Sequence, residues 1–519
     1  MPTDFEAAIN AGYGFKGPAI TFGAAMQGEQ ALPIAQVRVP LAMMNRHGLV
    51  AGATGTGKTK TLQVLAEQLS DAGVPVFISD IKGDISGLAA PAQLNDKLTA
   101  RAQSIGFADY APKSFPVEFF TLDREGNGVR LRASVSSFGP ILLAKVLDLN
   151  ETQQSVLALA FKYSDDKKLP LINLEDLRSL LNHLNSDEGK AEMAEYGGVA
   201  TATAGVIIRK IVELEQQEAD AFFGSPEFDV ADFLRVTDDG RGVISILELA
   251  DMQDRPALFS TFMMWLLASL YASLPEVGDP DKPKLVFFFD EAHLLFRDAN
   301  KTFMGQIELV ARLIRSKGVG VYFVTHSPSD VPSEVLGQLG NRVQHALRAF
   351  TPDDLETVRA TADTFPTTSF YEVAEELTKL GTGEALITAL DLKGRPMPTA
   401  RVMMRPPMSL MAQVDAAVFD SVVAASKIAP EYATDTDPES AREILAARMA
   451  RVTEEAREPM EGVADPESPG ERRMRPTRPP EKGTDWGKVA TEGSRVMRSG
   501  AFNTILRTVV GILTGGPRR

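Results

Sequence analysis

Residues 48–61, GLVAGATGTGKTKT, constrain the fold more than any other stretch of the chain. A short apolar run enters a Gly/Thr-rich turn that ends in Lys58 and Thr59. Leu62, Leu65, Ala66 and Leu69 then recur at helical spacing until Gly73, and VPVFISD follows as a second apolar strand. Strand, glycine turn, helix and strand form a βαβ unit, so the spacing predicts a parallel sheet with a right-handed crossover. GATGTGKT (52–59) meets the pattern GxxxxGK[ST] at every position. Glycines at 52, 55 and 57 let the backbone wrap and turn its N–H groups toward a phosphate, and the helix N-terminus adds to the attraction. Gly52, Ala53, Thr54, Gly55, Thr56, Gly57, Lys58, Thr59 and Lys60 are therefore assigned to nucleotide, with Lys58 on the β- and γ-phosphates and Thr59 on Mg²⁺. A glycine turn with an incidental lysine is the competing reading. The flanking strand and amphipathic helix argue against it.

The second element is LVFFFDEAH, 285–293. Five successive apolar residues describe a central strand buried on both faces. Adjacent carboxylates at its end fit the carboxyl edge of an open α/β sheet, where ligands bind. Asp290 is the expected Mg²⁺ partner, and Glu291 is placed to polarise the attacking water. Alternation along the strand is expected to give the two carboxylates separate tasks. An acidic N-cap for the next helix is the alternative. Two adjacent acids point to an ATP-hydrolysing motor rather than a small-molecule kinase or a GTPase switch. DEAH (290–293) also matches the box of an RNA helicase class. However, His293 lies beyond the strand end, and no second such core with its arginine motif follows.

GVYFVTHSP (320–328) is a further buried strand ending in Thr325 and His326, positions from which the γ-phosphate or attacking water can be sensed. Arg312, Arg315, Arg342 and Arg348 have no evident structural task, although surface ion pairing is the commoner fate of such residues. Arg315 is the first choice, and Arg348 the second, for an arginine inserted into a neighbouring subunit's site. ISDIKGD (78–84) ends the second strand at the same sheet edge, where it can shape the pocket, form a subunit contact or simply cap the strand.

Around these motifs the chain divides into a β-rich lead-in (1–45), a first core segment (46–135), a helical insertion (136–235) and a second core segment (236–405). Within the insertion, ILLAKVLDLNETQQSVLALAFKYSDD, NLEDLRSLLNHLN and TAGVIIRKIVELEQQEADAFF read as three amphipathic helices. Helices are expected over 406–456, a Pro-rich charged linker without a core over 457–490, and a basic amphipathic tail helix over 491–519. The tail fits packing on its own assembly, a protein partner or an anionic membrane surface. The absence of cysteine excludes disulfides, Cys-based zinc sites and thiol nucleophiles, and it fits a reducing cytoplasm. No secretory signal or membrane-spanning run is read in the sequence.

NRHGLVAGATGTGKT, FISDIKGDISGLA, LDLNETQQSVL, FFGSPEFDVADFL, LVFFFDEAHLLF and RSKGVGVYFVTHSPSDVP together resemble the HerA–FtsK superfamily of ring ATPases. They look closest to bacterial HerA-like proteins of the YjgR type, and the resemblance covers about residues 10–405. It implies a RecA-like core, a homo-hexameric ring with ATP at subunit interfaces, and DNA as the track. Lys58, Thr59, Asp290 and Glu291 map onto the family's nucleotide motifs. His326 departs from them, standing where a glutamine often follows a threonine. The family's N-terminal β-barrel has no counterpart of its size in residues 1–45.

The net charge of −15 weighs against this track, because nucleic-acid affinity comes mainly from Lys and Arg. A DNA translocase or helicase then needs a local basic channel, for which the 82–135 region and the helical insertion are candidates. The alternative is an ATPase that remodels or signals to protein partners, possible also at a membrane, without nucleic acid.

Overall fold

The computed structural model describes residues 4–249, 256–297 and 301–455, so the expected linker and tail helix lie outside the described residues. One twelve-stranded sheet organises residues up to Ile444. Its strands are β1 (Ala19–Gln27), β2 (Gln30–Pro40), β3 (Gly48–Ala51), β4 (Val76–Asp80), β5 (Val117–Thr121) and β6 (Val129–Arg130). They continue with β7 (Ile244–Glu248), β8 (Leu285–Phe289), β9 (Val319–Thr325), β10 (Asn341–Gln344), β11 (Glu384–Thr388) and β12 (Ala400–Met404). The order is β2-β1-β12-β11-β10-β3-β9-β8-β4-β7-β5-β6. From β10 to β6 every pairing is parallel, and from β2 to β10 every pairing is antiparallel.

The apolar runs become the middle of this sheet because both faces are covered. All residues of β3, β4, β8 and β9 are buried. On one face Val76, Ile78, Val286 and Phe288 share a core with Leu62, Leu65, Ala66 and Leu69 of the helix Lys58–Asp71. On the other face Phe77 meets Phe287 and Phe233 at ring distances of 5.1 Å, and Phe262 of the helix Pro256–Ser273 at 6.3 Å. Each such buried side chain contributes about 1.5–3 kcal/mol relative to exposure. This buried core holds the strand ends in fixed register.

Two expectations change. The lead-in begins with a helix, Asp4–Tyr13, before the β1–β2 pair joins the antiparallel edge through β12. The first proposed insertion helix is two, Val135–Val146 and Glu151–Lys167, because Asn150 and Gln153 form a capping box that starts a new helix. The insertion also carries helices Leu174–Asn185, Asp187–Met193 and Thr201–Gln216. After β6 the chain turns into the helix Val135–Val146.

Candidate functional site

Because β3, β4, β8 and β9 are parallel, their C-terminal ends lie at one edge, and β9 separates the phosphate-loop strand from the acidic strand. The loop after β3 is tied to its neighbours through the backbone. Gly52 N–H donates to Thr325 O (3.2 Å), Ala53 N–H to Ala346 O (2.8 Å), and Gly383 N–H to Thr56 O (2.9 Å). Gly55 has φ 77° and open space where a side chain would stand. At Gly57, φ is 122°, and a Cβ would press on Gly383 and His345. Thr54 and Gly55 are exposed at the crest, and Thr59 is half-buried in the first helical turn. This is a cradle open to a ligand and braced from below.

The brace includes His345, which the sequence reading missed. It is fully buried, donates from Nδ1 to Glu384 O (2.8 Å) and accepts at Nε2 from Thr61 Oγ1 (2.8 Å). Burial holds its pKa at about 4, so it places no charge beneath the loop at neutral pH. Arg101 holds the adjoining turn by donating to Thr382 O and Gly383 O, both at 3.0 Å. No local pattern marks these residues, since their contacts cross 39 to 284 positions.

Lys58 Nζ donates to Gly52 O (2.7 Å) and Ala53 O (3.4 Å) and lies 3.5 Å from His326 Nδ1. Burial lowers its pKa, opposed by the negative charge of Glu291. His326 Nε2 in turn lies 3.2 Å from Glu291 Oε2. His326 therefore stands between the loop lysine and the acidic residue, as its position at the end of β9 requires. Its own pKa is lowered by burial first, against the raising effect of Glu291.

Asp290 and Glu291 separate by a route the sequence did not predict. Strand β8 ends at Phe289, and both acids occupy the turn beyond it, where Glu291 takes a left-handed φ of 49°. The turn, rather than strand alternation, sends the carboxylates apart. Asp290 joins Asp80 and Asp84, with carboxylate oxygens of all three within 4.8 Å of one another. Burial, then the charges of Glu291 and Asp80, push Asp290 up to about 7. Asp80 rises to about 6 mainly through burial, although it accepts from the backbone N–H groups of Lys82, Gly83 and Ile85. Asp290 Oδ2 and Asp84 Oδ1 are buried without hydrogen-bond partners. Crowded, unsatisfied carboxylate oxygens fit a hard divalent cation such as Mg²⁺. Lys60 Nζ is also buried without a partner, its pKa lowered by burial against the pull of Asp84 and Asp80.

Glu291 faces a different set of groups. Lys82 Nζ, from the DIKGD stretch, pairs with Glu291 Oε1. Burial raises the Glu291 pKa, but Lys82 and the two neighbouring histidines outweigh it and bring it below its usual value. Glu291 thus stays ionised beside an otherwise neutralising cluster of carboxyls. His293 Nδ1 lies 3.1 Å from Glu291 Oε2, so the residue read as lying past the strand end belongs to the site.

Arg315 lies in the short turn Arg315–Lys317 before β9, at the opposite edge of the sheet, and is 3.6 Å from Asp279. The seven residues of β9 span about 23 Å, so Arg315 does not reach the phosphate loop of its own chain. Arg348 donates to Thr378 O (3.2 Å), and Arg342 donates to Leu339 O and Leu336 O at 3.4 Å each.

The model of the "Helicase HerA-like C-terminal" family matches residues 26–519. Two curated relatives are the "DNA double-strand break repair helicase HerA" proteins of Sulfolobus acidocaldarius and Sulfurisphaera tokodaii. Each is 23% identical over 363 residues, covering 68% of this chain and 64% of the relative. The chain therefore spans just under two thirds of the length of these relatives. Among solved structures, the bacterial conjugative coupling protein TrwB (unbound form) has a TM-score of 0.50 at 16% identity, covering 78% of this chain and 94% of that one. TrwB in complex with the GTP analogue GDPNP has the same score and identity, covering 78% and 98%. These likenesses establish a shared P-loop ATPase fold: a mainly parallel sheet with flanking helices. By the match over nearly its whole length, this chain belongs to the HerA-like helicase C-terminal family.

Proposed function

We propose that the chain is the ATP-hydrolysing core of a HerA–FtsK-type ring motor that moves along double-stranded DNA. Within the family we group it with the bacterial HerA-like proteins of the YjgR type, on the motifs quoted above. The single observation that carries the hydrolytic reading is the continuous line from Lys58 through His326 to an ionised Glu291 held by Lys82. The loop Gly52–Thr59 binds the phosphates, and Lys58 turns from Gly52 O to the β- and γ-oxygens. Thr59 and Asp290 would hold Mg²⁺, with Asp80 and Asp84 beside it. When bound, the ion neutralises phosphate charge.

Glu291 orients a water and accepts its proton as the water oxygen attacks the γ-phosphorus. The bond to the bridging oxygen breaks, leaving ADP and phosphate. His326, between Lys58 and Glu291, reports which species occupies the loop. Lys82 is a positioning residue that keeps Glu291 ionised. Lys82→Ala is expected to move the acid limb of the hydrolysis pH profile to higher pH, because Glu291 loses the cation that holds its pKa down. An unmoved limb removes Lys82 from this role.

Arg315 serves a neighbour's site rather than its own, which requires a ring. The test is the particle mass and image of the ATP-bound full chain, compared with Arg315→Ala. The wild type is expected to form a closed ring, expected to be a hexamer. The variant is expected to bind ATP but hydrolyse it about 10³-fold more slowly. A monomer, or a fully active Arg315→Ala, contradicts the assignment.

The −15 charge favours a second reading, an ATPase acting on protein partners, with the tail as a docking element for a partner or a membrane surface. No helix among the described residues is long and apolar enough to cross a membrane.

A further inference from the structure

Glu291, His293 and His326 bring one carboxylate and two imidazoles together, with their ligand atoms all within 4.8 Å of one another. Two edges of this triad, Glu291 Oε2 to His293 Nδ1 and to His326 Nε2, are 3.1 and 3.2 Å. Two ligands about 2.0–2.1 Å from a tetrahedral zinc ion stand about 3.3 Å apart, so these separations already match a coordination shell. The two imidazole rings are 5.2 Å apart, with their planes tilted by 45°.

Neither histidine satisfies the carboxylate by hydrogen bonding. Glu291 is only 4% exposed, yet its Oε2 has no hydrogen-bond partner, and neither does His293 Nδ1. Lys82 occupies the other oxygen, Oε1, so Oε2 is the atom left facing the histidines. A buried carboxylate oxygen without a partner is costly unless a cation or donor reaches it.

We infer that Glu291, His293 and His326 form a transition-metal site for Zn²⁺-class ions, separate from the Mg²⁺ position, whose occupation blocks hydrolysis. Ligand chemistry sorts the two metals. Asp80, Asp84 and Asp290 offer oxygen alone and suit Mg²⁺, whereas two imidazoles with one carboxylate suit Zn²⁺ or Co²⁺. An ion on Oε2 takes up the lone pair with which Glu291 would accept a proton, leaving the phosphate loop intact. The inhibitory consequence rests on the hydrolytic role proposed for Glu291. Metal binding itself does not.

The remaining histidines cannot substitute. His47, His183 and His345 are buried and each has a contact elsewhere: His47 with Ala311 O, His183 with Tyr163 and His345 with Thr61.

The test is a titration of the metal-free full chain with Co²⁺ alone, read by visible absorption. A ligand-field band is expected to saturate at one ion per chain and to vanish when Zn²⁺ is added. His293→Ala and the closer isostere His293→Asn are each expected to weaken binding at least about tenfold, with thermal melting curves confirming the fold. No band, or a band of unchanged affinity in both variants, overturns the site. A second readout is ATP hydrolysis at saturating Mg²⁺. Zn²⁺ is expected to suppress it reversibly with chelator in the wild type and to act at least about tenfold more weakly on His293→Asn. Equal suppression of both proteins overturns the inhibitory role. Should the chain hydrolyse no ATP, the Co²⁺ band still decides the site, so loss of the motor reading and loss of the metal site are told apart.

Discussion

Lys58→Ala is expected to lower ATP affinity by more than about a hundredfold, because it removes charge-assisted hydrogen bonds together worth about 3 kcal/mol. Lys58 Nζ is at the mouth of the cradle, 2.7 Å from Gly52 O, and its charge is held there by Glu291, Asp290 and Asp330. Among the described residues, neither neighbouring ammonium replaces it. Lys60 Nζ is buried beside Asp80 and Asp84, and Lys82 is committed to Glu291. Calorimetric titration of the full chain with ATP and Mg²⁺ measures the loss. Lys58→Met, which keeps the length of the side chain, is expected to behave alike, which separates charge from packing. Tight binding by either variant removes the phosphate assignment.

Glu291→Gln is expected to keep ATP binding and lose hydrolysis by about 10²–10⁴-fold, the contribution of a positioned general base. Gln retains the shape of the residue, and the left-handed turn that aims it is set by the backbone. What it loses is the negative charge paired with Lys82 and a basic oxygen for the proton. Single-turnover hydrolysis of bound ATP separates this from slow product release. Near-normal turnover excludes Glu291 as the proton acceptor.

Much of this site was legible because its signals are local. The phosphate loop is eight consecutive residues between a strand and a helix. The five apolar residues of LVFFF announce a strand buried on both faces, and the acids after it mark the sheet edge. The interactions that tune the site were not legible, because they join distant segments. Lys82 and Glu291 are 209 positions apart, and His345 and Thr61 are 284 apart. Their pairing depends on the strand order β3-β9-β8-β4, which no local periodicity encodes. His293 entered the sequence reading only as part of the DEAH box set aside above, because it follows the strand; the turn at Glu291 nonetheless brings it to the carboxylate. Helix boundaries fail for a related reason: one capping pair, Asn150 and Gln153, divides a run whose apolar residues continue at helical spacing.

The net charge of −15 sets a sharp requirement on a DNA motor. A chain of net charge −15 moves along DNA only if its basic groups are gathered on the surface that meets phosphate. The most direct measurement is steady-state ATP hydrolysis by the full chain with and without double-stranded DNA, repeated as salt is raised. Clear stimulation by DNA is expected, fading with increasing salt and absent in Glu291→Gln. Hydrolysis that DNA leaves unchanged at every salt concentration, in assembled rings, would contradict the DNA motor and leave the protein-remodelling reading in its place.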